Sequence, residues 1–136
     1  GPACYCGRAG CIETFLSGPG LARDYAAHGG ADVSATEVAA RAERGEPAAV
    51  ACLERYERRM ARALASVVNV LDPDVIVLGG GLSNIARLCE QVPRLWSRHI
   101  FSDSVTTRLV RARHGDASGV RGAAWLWEPG VATRGE

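Results

Sequence analysis

The chain of 136 residues carries 16 basic against 15 acidic side chains, a net charge of +1 that gives neither the footprint of a nucleic-acid surface nor an acidic tail. Every basic residue is arginine, so a lysine on a phosphate or in a Schiff base cannot come from these residues. The longest apolar region, Val67 to Leu82, is broken by Asp72, Pro73 and Asp74 short of the ~20 residues of a bilayer span, and no apolar leader stands at the start, so the expectation is a cytoplasmic protein with no membrane segment.

Near the start, Cys4-Tyr5-Cys6-Gly7-Arg8-Ala9-Gly10-Cys11-Ile12-Glu13 brings three thiols into one tight loop with a carboxylate just beyond them. Thiolates favour tetrahedral zinc, and the two glycines let a short loop fold back so that Cys4, Cys6 and Cys11 face one ion. A fourth ligand is missing locally, and His28, His99 and His114 stand far from the cysteines in sequence. Five cysteines is an odd count, which argues against a complete disulfide framework and suits a reducing compartment. Cys52 and Cys89 fall in helical segments and read as small buried apolar residues.

Ile12 to Ser17 can form a short helical turn, and Gly18-Pro19-Gly20 is expected to interrupt it before a helix resumes over Leu21 to His28. Ser34-Ala35-Thr36-Glu37 reads as a capping box, with the serine accepting from an amide of the first turn and Glu37 reaching back, for a helix to about Arg44 with Gly45 as its stop. From Pro47 to about Leu71 the apolar residues Val50, Leu53, Met60, Leu64, Val67 and Leu71 recur at helical spacing, and Tyr56 lies close to the same stripe. The opposite face, with Glu54, Arg55, Glu57, Arg58, Arg59 and Arg62, reads as a solvated outer surface.

Asp74 to Leu78 has the composition of a strand buried on both faces. Gly79-Gly80-Gly81 follows it, Ser83 or Asn84 can cap a helix, and Ile85, Leu88, Cys89, Val92 and Leu95 give that helix an apolar face to about Trp96, with Pro93 expected to bend or shorten it. A second strand is expected over Val105 to Ala112, and a helix of small residues from Ser118 through Trp127. Two legible strands leave an unpaired apolar edge, a cause of self-association.

Two features carry chemistry besides the thiols. The strand-glycine-helix unit leaves a loop without side chains where a planar base or phosphate can approach the backbone, although a bare turn looks the same. Glu13 could accept two hydroxyl groups of a ligand, or could stand in a first helical turn for the sake of the dipole.

The pattern Cys4-x-Cys6-Gly7-x-x-Gly10-Cys11-x-Glu13, with Ile12 to Gly18 continuing it, resembles the signature of the ROK family of sugar kinases and sugar-responsive repressors. Leu71 to Asn84 and His114 to Trp127 resemble its bacterial fructokinase branch, so the likeness runs from about residue 4 to residue 127. It implies an actin-like (ribonuclease H-like) α/β fold, of which residues 1–136 would be a helix-rich part of the C-terminal lobe. Zinc would be structural at Cys4, Cys6 and Cys11, Glu13 would bind the sugar, and Gly79, Gly80 and Gly81 would border the adenosine of ATP.

The family's Asp-x-Gly-x-Thr loop, catalytic aspartate, Gly-Thr-Gly loop and zinc-ligating histidine are not matched by any residue here, so the resemblance places the catalytic base and the N-terminal lobe upstream of this chain. The expectation is a C-terminal portion of an ATP-dependent hexose kinase that uses Mg2+ and takes fructose, a homodimer when full length and inactive as this chain alone. The alternative is the sugar-sensing domain of a ROK-type repressor.

Overall fold

A computed structural model describes residues 1–115 and 117–126. Its spine is a helix of 25 residues, here α3, over Pro47–Leu71. Proline is tolerated in the first turn, where its missing N–H has no intrahelical partner to lose. Ala49, Cys52, Leu53, Tyr56, Met60, Ala61, Ala65 and Val68 form its buried stripe. At the far end Asp72 turns left-handed (φ 41°) and donates its N–H to the Val68 carbonyl at 2.8 Å, and Pro73 prevents continuation.

Two shorter helices, α1 (Gly18–Ala27) and α2 (Ala35–Glu43), pack on α3 and on each other. Strand β1 (Val75–Leu78) leads through a 3-10 turn at Gly81–Asn84 into α4 (Ala86–Trp96), which packs on α3 and crosses over to β2 (Arg108–Arg111). The strands are parallel, Val75 opposite Arg108 and Leu78 opposite Arg111, and parallel pairing requires such a crossover. A last helix, α5, covers Ser118–Ala124. Leu21, Tyr25, Val38, Leu53, Leu88, Val92, Trp96 and Leu109 meet in one core.

Several local expectations are corrected. Gly18-Pro19-Gly20 begins α1 instead of interrupting it: the Ser17 hydroxyl accepts from the Gly20 N–H at 3.1 Å, and proline occupies the first turn. Gly20 itself is required by close approach, because a Cβ there would lie 2.8 Å from the carbonyl oxygens of Thr14 and Phe15. Ser34 caps α2 through the Glu37 N–H at 3.2 Å, but the Glu37 side chain turns outward to Arg41 (2.9 Å) and Arg44 (3.0 Å), since two guanidinium groups outcompete one backbone amide.

Neither Ser83 nor Asn84 caps α4, which starts after Ile85 without a side-chain cap; Ser83 is buried and donates to the Gly80 carbonyl at 2.7 Å. Pro93 lies inside α4, and the helix continues to Trp96. The face of β1 bearing Val75 and Val77 is open, at 38% and 56% exposure, not buried. Its apolar composition matched a covered strand, but the core packs against Ile76 and Leu78 alone. The second strand is shorter than expected, and Trp127 lies outside the described residues.

The outer face of α3 is only partly solvated. Glu57 is 2% exposed, and Arg87 of α4 grips it through Nε at 2.5 Å and Nη2 at 3.1 Å. A carboxylate buried this far depends on its bidentate partner. Arg87→Met should therefore destabilise the fold by about 3 kcal/mol, because the carboxylate is left buried and uncompensated. Urea unfolding measures it, and the double change Glu57→Leu with Arg87→Met should recover most of the loss.

Candidate functional site

The cysteine loop is folded by its own backbone. Ala3 and Ala9 form an antiparallel bridge, the Cys4 N–H donates to the Arg8 carbonyl at 2.8 Å, and the Gly10 N–H donates to the Pro2 carbonyl at 2.8 Å. Gly7 (φ 83°) and Gly10 (φ 72°) supply the reversals. The result brings the sulfurs of Cys4, Cys6 and Cys11 within 4.8 Å of one another, with Cys6 and Cys11 3.5 Å apart.

Four-coordinate zinc with Zn–S near 2.3 Å spaces its sulfurs about 3.8 Å apart, so the thiol set fits that ion, or another that prefers soft tetrahedral ligands. No further histidine or acid joins the three thiols among the described residues. The Cys6 thiol is held below its ordinary value by the Arg8 backbone and then by the neighbouring thiols, while Cys11, bonded to Cys6, is pushed up to about 11.

Glu13 follows on a 3-10 turn, Ile12–Thr14, that is tied to the last cysteine: the Thr14 hydroxyl donates to the Cys11 carbonyl at 2.6 Å, and so does its N–H at 2.9 Å. The carboxylate is exposed and lines a hollow of about 260 Å³ with Cys4, Tyr5, Ser17, Pro19 and Arg23. A hydrogen bond and the charge of Glu13 raise the Tyr5 phenol above its ordinary value. The structure thus puts Cys4 in the same hollow as Glu13, while Cys6 and Cys11 do not line it.

The glycine loop borders a different hollow, of about 380 Å³. Gly80 (φ 72°) reverses the chain after β1, and Gly81, Leu82 and Ile85 form one wall; Ala35, Ala39 and Ala40 of α2 form the facing one. Of the three glycines Gly81 stands in the wall, while Gly79 and Gly80 shape the turn before it. Sequence reasoning missed the α2 contribution. Its signal was small residues at helical spacing, Ala35 with Ala39, which leave space where larger side chains would fill it.

Both hollows are lined by the residues at the start of α1. Ser17 and Pro19 face the first, Gly18 the second. One short segment thus stands between two hollows that each have a carboxylate in the wall, Glu13 in the first and Glu43, with Thr36 and Asn84, in the second, an arrangement that can hold a polyhydroxylated molecule and a planar one side by side.

Beneath this segment Asp24 of α1 meets α3. Its carboxylate accepts from Arg55 Nε at 2.8 Å and Arg59 Nη1 at 2.7 Å, and the Cys52 thiol lies 3.4 Å away. Arg59 also stands over the Phe15 ring, 5.4 Å from its centroid, just past the turn that carries Glu13. Burial, then the hydrogen bond to Asp24 and its charge, pushes the Cys52 thiol up to about 12, so it is inert as a nucleophile. His28 binds the Asp24 carbonyl through Nδ1 at 2.7 Å, and none of the three histidines joins the thiols.

A model of the ROK family matches residues 1–129, and the chain belongs to that family. Its folded elements are a helix-rich α/β part of the actin-like architecture of ROK sugar kinases. N-acetyl-D-glucosamine kinases of Salmonella paratyphi B and Photobacterium profundum are each 42% identical over 123 residues, covering 90% of this chain and 41% of theirs. A ROK hexokinase from Thermus thermophilus superposes with a TM-score of 0.76 at 33% identity, over 92% of this chain and 44% of that one. A ROK glucokinase from Streptomyces griseus, solved with glucose and AMPPNP, shares the fold with a TM-score of 0.81 at 24% identity, over 93% of this chain and 47% of that one. The chain spans less than half the length of these relatives.

The Asp24 cluster has a pH signature. Burial raises the carboxyl, but the hydrogen bonds from Arg55 and Arg59 and the charge of Arg59 outweigh it and hold Asp24 below its ordinary value. A depressed folded value means the stabilisation is complete above the unfolded value, about pH 4, and is lost as pH falls through the lower folded one. Stability measured by urea unfolding should fall less steeply below pH 4 in Asp24→Asn than in the parent. Parallel acid limbs in the two proteins would assign the acid sensitivity elsewhere.

Proposed function

We propose that this chain forms the sugar-binding and nucleoside-binding part of an ATP-dependent hexose kinase. The observation that carries this reading is the pair of adjoining hollows at the start of α1, one bearing Glu13 and the other walled by Gly81 and α2. Glu13 accepts hydrogen bonds from two sugar hydroxyls, and its attachment to Cys11 holds the carboxylate in place. The adenosine of magnesium-bound ATP lies between the glycine loop and Ala39 and Ala40.

Cys4, Cys6 and Cys11 hold a structural zinc ion, which supplies rigidity to the loop that aims Glu13. No general base is assigned to these residues, and the proposed reading leaves that role to residues outside 1–136. The identity of the sugar follows the relatives: the two at 42% identity are named for N-acetyl-D-glucosamine, which favours that hexose over the fructose suggested by the Leu71–Asn84 resemblance.

The full-length polypeptide, assayed with magnesium and ATP on a panel of hexoses, should phosphorylate N-acetyl-D-glucosamine with the highest kcat/KM. Glu13→Gln should lower kcat/KM for the sugar about 100-fold, the worth of two hydrogen bonds to a charged group. Ala40→Trp should raise the KM for ATP and leave that for sugar unchanged. Sugar binding without phosphoryl transfer, in a protein that also carries a helix-turn-helix, would instead make this the sensing domain of a repressor.

The metal has its own test. Elemental analysis should find up to one zinc per chain, and Cys11→Ser should lose it and weaken sugar binding through the displaced turn. Free alkylation of all three thiols in protein purified without oxygen or chelator would contradict the assignment.

A further inference from the structure

The face of α3 away from the two hollows carries Arg55, Arg58, Arg59 and Arg62, which recur at the spacing of adjacent helical turns. With Arg98 and His99, on the 3-10 turn Ser97–His99 that follows α4, they border a groove of about 430 Å³. Arg59, Arg62 and His99 also wall a neighbouring hollow of about 570 Å³, whose other side is Ile12, Phe15 and Leu16. The two concavities have these residues as a common wall, and each has the size of a small-molecule site.

The arginines differ in their engagement. Asp24, nearly buried, fixes Arg55 and Arg59 from below at 2.7 Å, and Glu54 stands 3.8 Å from Arg58. Arg62, Arg98 and the His99 ring have no side-chain partner among the described residues. Five guanidinium groups against two carboxylates leave the groove with a formal excess of three positive charges, in a chain whose net charge is +1. The charge is local, as a compact anion requires, and is not the extended stripe that a nucleic acid would need.

We propose that this groove binds a small phosphorylated metabolite, its phosphate dianion taken by Arg62, Arg98 and His99 and its organic part lying in the hollow beside Phe15 and Leu16. Guanidinium forks match phosphate oxygens in pairs, and a dianion bridging two elements satisfies charges that the fold leaves without partners. Asp24 serves the site by holding Arg59 over the Phe15 ring, in the wall common to both concavities. The site is lined by other residues than the Glu13 hollow, and only the choice of a hexose phosphate as its probe rests on the proposed function.

Phenylglyoxal modification of the full-length protein, mapped peptide by peptide, tests it. Inorganic phosphate should slow modification of Arg62 and Arg98 about tenfold relative to chloride at equal ionic strength, and exposed Arg94 of α4 should react at an unchanged rate. A hexose 6-phosphate should protect at lower concentration than inorganic phosphate, and the unphosphorylated hexose should not protect. In Arg62→Ala, whose exposed side chain supports no other group, protection of Arg98 should disappear. Unchanged rates with both phosphates, or Arg98 still protected in Arg62→Ala, would sink the proposal; so would protection by polyglutamate or an oligonucleotide alone, which would give the groove to an acidic macromolecule.

Discussion

The buried stripe of α3 is the constraint on which the remaining elements depend. Its small residues, Ala49, Cys52, Ala61 and Ala65, allow close approach, while Leu53, Tyr56 and Met60 fill the space between helices. Two acids at its flanks then fix the neighbours in position. Asp24 of α1 is clasped by Arg55 and Arg59 of α3, and Glu57 of α3 is clasped by Arg87 of α4. Arginine suits both junctions because its planar fork meets a carboxylate with two bonds, and an ion pair removed from water needs that many.

These junctions were the least legible part of the sequence. A row of Glu and Arg on one side of a helix has the pattern of a solvated face, and nothing in the spacing distinguishes Glu57, which is buried, from Glu54, which is not. Periodicity located α3 and its end at Leu71, because a long amphipathic stripe followed by Asp72-Pro73 combines two independent signals. It misjudged β1 because composition reports what a strand is able to bury, not which neighbours cover it: Val75 and Val77 are as apolar as Ile76 and Leu78 yet face outward. The start of α1 was misread for a related reason. Glycine and proline together suggest a break, but Pro19 sits where a helix loses no hydrogen bond, and Gly20 answers a steric demand from Thr14 and Phe15 that only the folded chain makes visible.

The candidate site divided in the same way. The thiols and Glu13 lie close in sequence, and a loop with two glycines can bring them together, so their convergence was legible from spacing. The hollow beside Gly81 was only half legible, because its other wall comes from α2, far away in the chain, where alanines that carry no chemistry of their own stand between Thr36 and Glu43. Small residues that make room leave almost no trace in a sequence.

The cysteine loop shows what a metal would add. Its residues from Ala3 to Gly10 are exposed or half-buried, and none belongs to the core cluster, so hydrophobic burial does little to order them. What holds the loop is one bridge, a few backbone hydrogen bonds and the contact between the Cys6 and Cys11 sulfurs. Each such bond is worth about 1 kcal/mol net, comparable to the entropy of fixing a single residue. A loop balanced this closely becomes rigid only when a stronger bond is added, and three thiols on one ion would supply it next to the turn that carries Glu13. The sequence spends three cysteines on a segment with almost no core, and cross-linking through a metal is the economy available to such a segment.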